Sequence, residues 1–311
     1  MNSIFKTLLI IVTLNLSSNI MSQNNLPNFD SLWNYDKPEE TGKKFREILP
    51  HAESSGDTSY LIQLLTQIAR TEGLQMKFDE AHKILDKAKE LEPEKYETAY
   101  IRYLLERGRT FNSSKKQDEA KPLFLEAYNF GLAHNLDFFT IDAAHMLGIV
   151  DKDEESLNWN NIAIKLAEDS KDEKSKRWLG SLYNNTGWTY FDMKEYDKAL
   201  DIFKKNVDWH TERGSKMPLI IAKWSVARTL RAMREVDTAL SMQLNLLDEI
   251  KEKKLDPDGY VFEEIGECLL VKGKKGDAKT YFKQAYELLS KDIWLMENEK
   301  DRLNRLKELS E

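Results

Sequence analysis

Histidines, cysteines and paired acids are the side chains most able to do chemistry. The five histidines, His51, His82, His134, His145 and His210, are scattered along the chain. No two form a His-Glu-x-x-His pair or stand at a spacing suited to zinc. No Gly-x-Ser-x-Gly elbow occurs. The run Val271–Thr280, VKGKKGDAKT, superficially suggests a phosphate loop, but it lacks the first glycine and the Ser or Thr after Lys. Glu263–Glu264 and Asp153–Glu155 lie in Lys-rich helical stretches, where a solvated face explains them better than acid–base work. The single Cys268 excludes an internal disulfide, and within EEIGECLL it reads as a small apolar residue of a helix. No nucleophile, base and orienter can be drawn together. The sequence therefore predicts a non-catalytic protein, with no cofactor and no metal.

Other functions need a surface, and a surface needs a fold to present it. The 311 residues carry 32% charged side chains and a net charge of −7. That balance argues against a general nucleic-acid binder, which needs surplus Lys and Arg against phosphate. Gly and Pro are scarce, at 13 and 7, and no strand–turn–strand pattern appears, so the natural expectation is all-helical.

One stretch organises the rest. Ser181–Val207, SLYNNTGWTYFDMKEYDKALDIFKKNV, reads as two helices back to back with a turn at Asp192–Glu195. Tyr183, Thr186, Gly187 and Tyr190 share one face of the first helix, and Ala199 and Phe203 one face of the second. The slot of Gly187 recurs as Ala69, Gly108, Gly148, Ala227 and Gly266, in steps of 39 or 40 residues. Twelve residues after each slot come Ala81, Ala120, Asn160, Ala199, Ala239 and Ala278. Four further on come Leu85, Phe124, Ile164, Phe203, Gln243 and Phe282.

This pattern resembles the tetratricopeptide repeat, whose usual period is about 34 residues. The resemblance covers roughly residues 38–310 and implies a right-handed α-solenoid with a period of 39–40 residues, each second helix being longer by about a turn and a half. Asn160 and Gln243 depart from the pattern, so repeats three and five should pack less tightly.

The expected organisation is a signal peptide over 1–22, a lead and capping helix over 23–56, six repeats over 57–290 and a capping helix over 291–311. Met1–Ser22 has one charge, Lys6, then the apolar run Leu8–Leu16 and small polar residues. That layout is a secretory signal, too short to span a bilayer. It predicts an exported, periplasmic or secreted protein with no stable membrane insertion; if Met21 is the true start, the protein is cytoplasmic. Phe45, forty residues before Leu85, puts Pro38–Ser54 in the place of a lone second helix. Phe29, Leu32 and Trp33 should lie across the exposed end of the array, and Trp294, Leu303, Leu306 and Leu309 should cover the last repeat. Asp57, Asp137, Asp172 and Ser215 stand where helix N-caps belong.

In the tetratricopeptide family the first helices line the concave inside. Carried onto this sequence, the family's inward positions bring Arg70, Arg102, Arg109, His145, Asn184, Trp188, Phe191, Trp224, Arg228 and Arg231 to one groove, with five arginines and Lys152 against a single acid, Asp142, in the first five repeats. Arg suits a bidentate grip on carboxylate, and exposed aromatics beside Arg make a binding hot spot. The resemblance implies a protein-interaction module whose partner offers an acidic segment or a C-terminus. Three alternatives stand beside it: a small ligand or glycan stacked on Trp188 and Trp224, a purely structural scaffold, and arginines merely paired with acids one helix over. Both tryptophans could equally be half-buried between neighbouring first helices.

Overall fold

The computed structural model describes residues 26–311; the signal-like Met1–Ser22 lies outside them. The described residues form the expected all-α solenoid. A capping helix α1 (Pro38–Ser54) is followed by six hairpin pairs. These are α2 (Thr58–Leu74) with α3 (Phe78–Glu90), α4 (Glu97–Ser113) with α5 (Gln117–Ala133), and α6 (Asp137–Val150) with α7 (Asp153–Asp169). After a single helical turn, α8 (Glu173–Lys176), come α9 (Leu179–Asp192) with α10 (Tyr196–Glu212), α11 (Met217–Ala232) with α12 (Val236–Glu252), and α13 (Gly259–Val271) with α14 (Lys275–Leu289). Two helices, α15 (Ile293–Asn298) and α16 (Lys300–Ser310), close the array where one was expected. The extra length of the repeat is shared, not confined to second helices: α2 and α4 have 17 residues, like α5 and α7, while α3 has 13.

Each pair is locked by one volume exchange. Gly108, Gly187 and Gly266 face the rings of Phe124, Phe203 and Phe282, and a methyl added at Gly108 or Gly266 would stand 2.5 or 2.8 Å from ring carbon. Where the first slot holds alanine, at Ala69 and Ala227, the second holds the slimmer Leu85 or Gln243, all four fully or nearly fully buried. Constant summed volume is what a close-packed interior requires. Gln243 therefore does not loosen its repeat. It is sealed, with Nε2 donating to the Trp224 carbonyl at 3.4 Å while Oε1 finds no partner.

Five of the six hairpins use the same turn. Met76, Lys115, Lys194, Arg234 and Gly273 adopt left-handed φ between 62° and 74°. In each, the following amide donates to the carbonyl five residues back, satisfying the helix end. This is the role of VKGKKG: Gly273 makes a hairpin turn.

The third hairpin is different. α6 ends in extended backbone at Asp151 and Lys152. α7 then buries Ser156, Asn160, Ala163 and Ala167, the spacing of Ala120, Phe124, Ala127 and Gly131 in α5. Ser156 holds the small slot and Asn160 the slot opposite Gly148, so the reading of Asn160 as the small residue is four residues out. One helical turn is missing from the hairpin, and α8 restores it before α9, so the spacing from Gly148 to Gly187 is kept. Asn160 is buried, so this repeat is sealed as well.

Asp57 and Asp172 cap α2 and α8 as expected. Asp137 instead accepts a hydrogen bond from the Ser170 hydroxyl, and Ser215 pairs with His210. Asp258 is the cap that α13 uses.

Candidate functional site

First helices of neighbouring repeats pack against each other (α2 on α4, α4 on α6, α9 on α11, α11 on α13) except at the third junction, where α8 packs on α6, while second helices touch one another less. The array thus curves with its first helices inside, and their inward side chains form a channel wall. Trp294 of α15 and the hairpins around Leu74, Met76 and Ser114 face one another across a gap of about 650 Å³. Trp294 is 55% exposed there and does not cover the last repeat; Leu303 and Leu306 do.

The amino-terminal half of the wall carries Arg70, Arg102, Arg109 and His145. Arg109 bridges Glu106 at 2.8 Å and Asp142 of the next first helix. Arg70 lies 3.5 Å from Glu106. Burial pulls both guanidiniums down from their usual range; at Arg109 the carboxylates of Asp142 and Glu106 outweigh it, and at Arg70 they do not. His145 is 8% exposed beside Trp178, and burial, with the nearby Arg109 charge, pushes its pKa down to about 4. It stands neutral in the wall.

Arg102 has a different partner. Its Nη2 donates at 2.5 Å to Asp30, which belongs to the lead before α1. Its guanidinium lies between the rings of Phe29 and Phe139, 5.5 and 5.3 Å from their centroids, and its buried Nε has no hydrogen-bond partner. The lead does not merely lie across the end of the array. Phe29 is buried against Phe45 and Tyr60, the Trp33 indole N–H donates to Gln67 at 3.0 Å, and Tyr35 stacks on Trp33. Asp30, Trp33 and Tyr35 share a cavity of about 450 Å³ with Arg70, Arg102 and Trp178.

The carboxyl-terminal half is aromatic. Trp188 and Trp224 lie 5.6 Å apart, Tyr260 is 5.8 Å beyond, and Phe191 packs on Trp188. The Arg228 guanidinium sits about equally far from Trp188, Phe191 and Trp224, at 5.6 to 5.7 Å. The Trp224 indole N–H donates to the Tyr260 carbonyl at 3.0 Å, so this tryptophan is half-buried between neighbouring first helices. Arg228 and Arg231 both reach Glu264. Asn184 stands between the halves, its Oδ1 buried and unbonded.

Arg70, Arg102 and Arg109 line one cavity, and Trp188, Phe191, Trp224 and Arg228 form a second cluster, but each of the five arginines has an acid partner. Apart from Arg102, the arginines pair with acids one helix over, as one of the alternatives had it, but Glu106 and Asp30 were not foreseen, and Glu263 and Glu264 are buried partners of arginine, not a solvated face. Glu106 and Glu264 follow a rule: each lies one first helix over, 36 residues beyond Arg70 and Arg228, as Asp142 lies 33 beyond Arg109. Opposite charges at that offset were the available signal. Cys268 is fully buried with its thiol pushed up to about 12 by burial, as an apolar helix residue would be. Among the described residues, no helix is long and apolar enough to cross a membrane, and no group of His, Cys, Asp and Glu converges as a metal would need.

Residues 180–209 match the sequence model of a tetratricopeptide repeat. No curated protein matches the chain in sequence. Among solved structures, the fold resembles a STAND signal-transduction ATPase with a tetratricopeptide-repeat sensor from Pyrococcus horikoshii, with a TM-score of 0.65 at 15% identity. That likeness covers 87% of this chain and 42% of the other, so the chain spans less than half the length of that ATPase. It also resembles the apo form of RapI, with a TM-score of 0.65 at 13% identity, covering 88% and 78% of the two chains. A third likeness is NprR in complex with its cognate peptide NprX, with a TM-score of 0.55 at 14% identity, covering 90% and 80%. The described residues thus have the fold of a tetratricopeptide-repeat solenoid, and one stretch, residues 180–209, matches that repeat in sequence.

Proposed function

We propose that this protein is a non-catalytic interaction module whose channel takes an extended peptide segment bearing a carboxylate. The observation that carries this reading is the Arg102–Asp30 contact. A short segment from outside the array, a single 3-10 turn at Phe29–Leu32, already lies against the first helices there, with its carboxylate on a guanidinium and its aromatic ring beside it. The other wall arginines have acids of the array itself as partners, whereas the acid on Arg102 comes from outside the repeats. Arg102 is therefore the point where a partner's side-chain or terminal carboxylate fits. NprR, which shares the fold, is known in complex with a peptide, and that supports the reading at the level of fold.

Stacking of a glycan on Trp188 and Trp224 is the weaker reading, because their faces are already in contact with Phe191, Phe203, Arg228 and each other. A peptide array probed with the full chain tests the choice. The expected result is retention of peptides with Asp or Glu near an aromatic residue, lost on Arg102→Glu at an unchanged helical spectrum. Retention of the same peptides by Arg102→Glu, or of none by the wild type, would overturn it.

A further inference from the structure

The lead has the composition that the proposed function asks of a ligand. From Leu26 to Asp36 it reads LPNFDSLWNYD, with three aromatics, two acids and no basic residue. It is held by contacts of the kind a bound peptide makes: Phe29 in an aromatic pocket, Asp30 on Arg102, the Trp33 indole on Gln67, and the Tyr60 hydroxyl donating to the Pro27 carbonyl at 2.7 Å. Only Phe29–Leu32 is regular, as a single 3-10 turn. Tyr35 is 62% exposed over the cavity that Trp33 and Arg70 share. Four cations, Arg70, Arg102, Arg109 and Lys174, stand in that cavity against three acids, Asp30, Glu106 and Asp142, so its wall becomes more cationic when the lead and Asp30 depart.

We infer that the lead is a resident pseudo-ligand: the site's partner carries a segment of the same chemistry, a bulky aromatic followed directly by a carboxylate, and binds by displacing Phe29 and Asp30. This rests on the peptide-binding reading above and adds which partner and at whose expense. The tethered lead competes at an effective concentration in the millimolar range, as short flexible tethers do. A free partner must outbid that, so the protein answers only to segments that fit better than its own.

The probe is a fluorescein-labelled synthetic peptide of the lead sequence, LPNFDSLWNYD, titrated into the full chain by anisotropy. The wild type should bind it weakly. Asp30→Asn should bind it about threefold to fivefold more tightly, and the double variant Phe29→Ala with Asp30→Asn more tightly still, both with unchanged helical spectra. Adding Arg102→Gln to either should abolish the gain. Equal affinity for wild type and Asp30→Asn, or a gain that survives Arg102→Gln, would overturn the inference. Hydrogen exchange separates it from the reading beneath it. If acidic peptides from the array bind the wild type while residues 27–36 keep their protection, the groove reading stands and displacement falls. If neither the array nor the lead peptide binds any variant, both fall.

Discussion

At the two ends of the channel the charges run in opposite directions. At the amino-terminal end the array supplies the guanidinium, Arg102, and the terminal segment supplies the acid, Asp30. At the carboxyl-terminal end α13 supplies Glu263 and Glu267, and α16 supplies Arg302 and Arg305. Each end is neutralised by chain from outside the repeats, yet the two segments are held differently. α16 buries Leu303 and Leu306 in the same core as Phe282 and Leu289, and Arg302 grips Glu263 with both Nε and Nη2. The lead buries one ring and has a cavity beside it. Charge neutralisation alone does not distinguish a structural cap from a ligand; buried apolar area does.

The largest effect should come from Leu306→Ala, which removes a fully buried side chain from the carboxyl-terminal cap. It should cost about 2–5 kcal/mol by denaturant unfolding. Phe29→Ala, at the other end, should cost less than half of that, because the lead can detach without opening the array. Equal costs would erase the distinction between the ends.

Acid should weaken the amino-terminal half selectively. His145 has a folded pKa of about 4 against about 6.5 unfolded. The unfolded chain therefore takes up the proton first. Stability is full above about pH 6.5 and falls as pH drops towards 4, by about 2 kcal/mol at pH 5. His145→Gln should flatten that slope, measured by denaturant midpoints at pH 7 and pH 5. An unchanged slope would place the acid sensitivity elsewhere.

Glu263→Gln should cost about 1 kcal/mol, since it leaves the partly exposed Arg302 without its carboxylate. Asp30→Asn should cost less still, about 0–1 kcal/mol, because Asp30 is 37% exposed. Its visible effect should be faster proteolysis within residues 27–36. A melting-temperature loss as large as that of Glu263→Gln would make the lead a second structural cap.

The repeat phase was legible because small and large residues recur at helical spacing, and Gly187 with Phe203 carries that signal alone. The shifted third repeat was not. The missing turn before α7 and the added α8 cancel in the count from Gly148 to Gly187, so Asn160 fell on a plausible slot by arithmetic. The burial pattern Ser156, Asn160, Ala163, Ala167 would have exposed it. The arginines and aromatics were legible as candidates, and their pairing with acids one helix over as an alternative, but which acids would pair was not. Salt-bridge partners such as Glu106 and Glu264 stand beside the inward positions, and only packing decides that they turn towards the arginines. The lead was opaque because a short polar segment with three aromatics has no period to read.

The shortened third hairpin has a consequence for how such a molecule tolerates change in length. Four residues are close to one helical turn of 3.6, so losing them rotates α7 by only about 40°. The rotation is small enough for Asn160 to reach the place of an aromatic, and α8 takes up the slack before the next pair begins. Insertions and deletions in whole turns are therefore absorbed between repeats, whereas a change of one or two residues would swing a core face out to water.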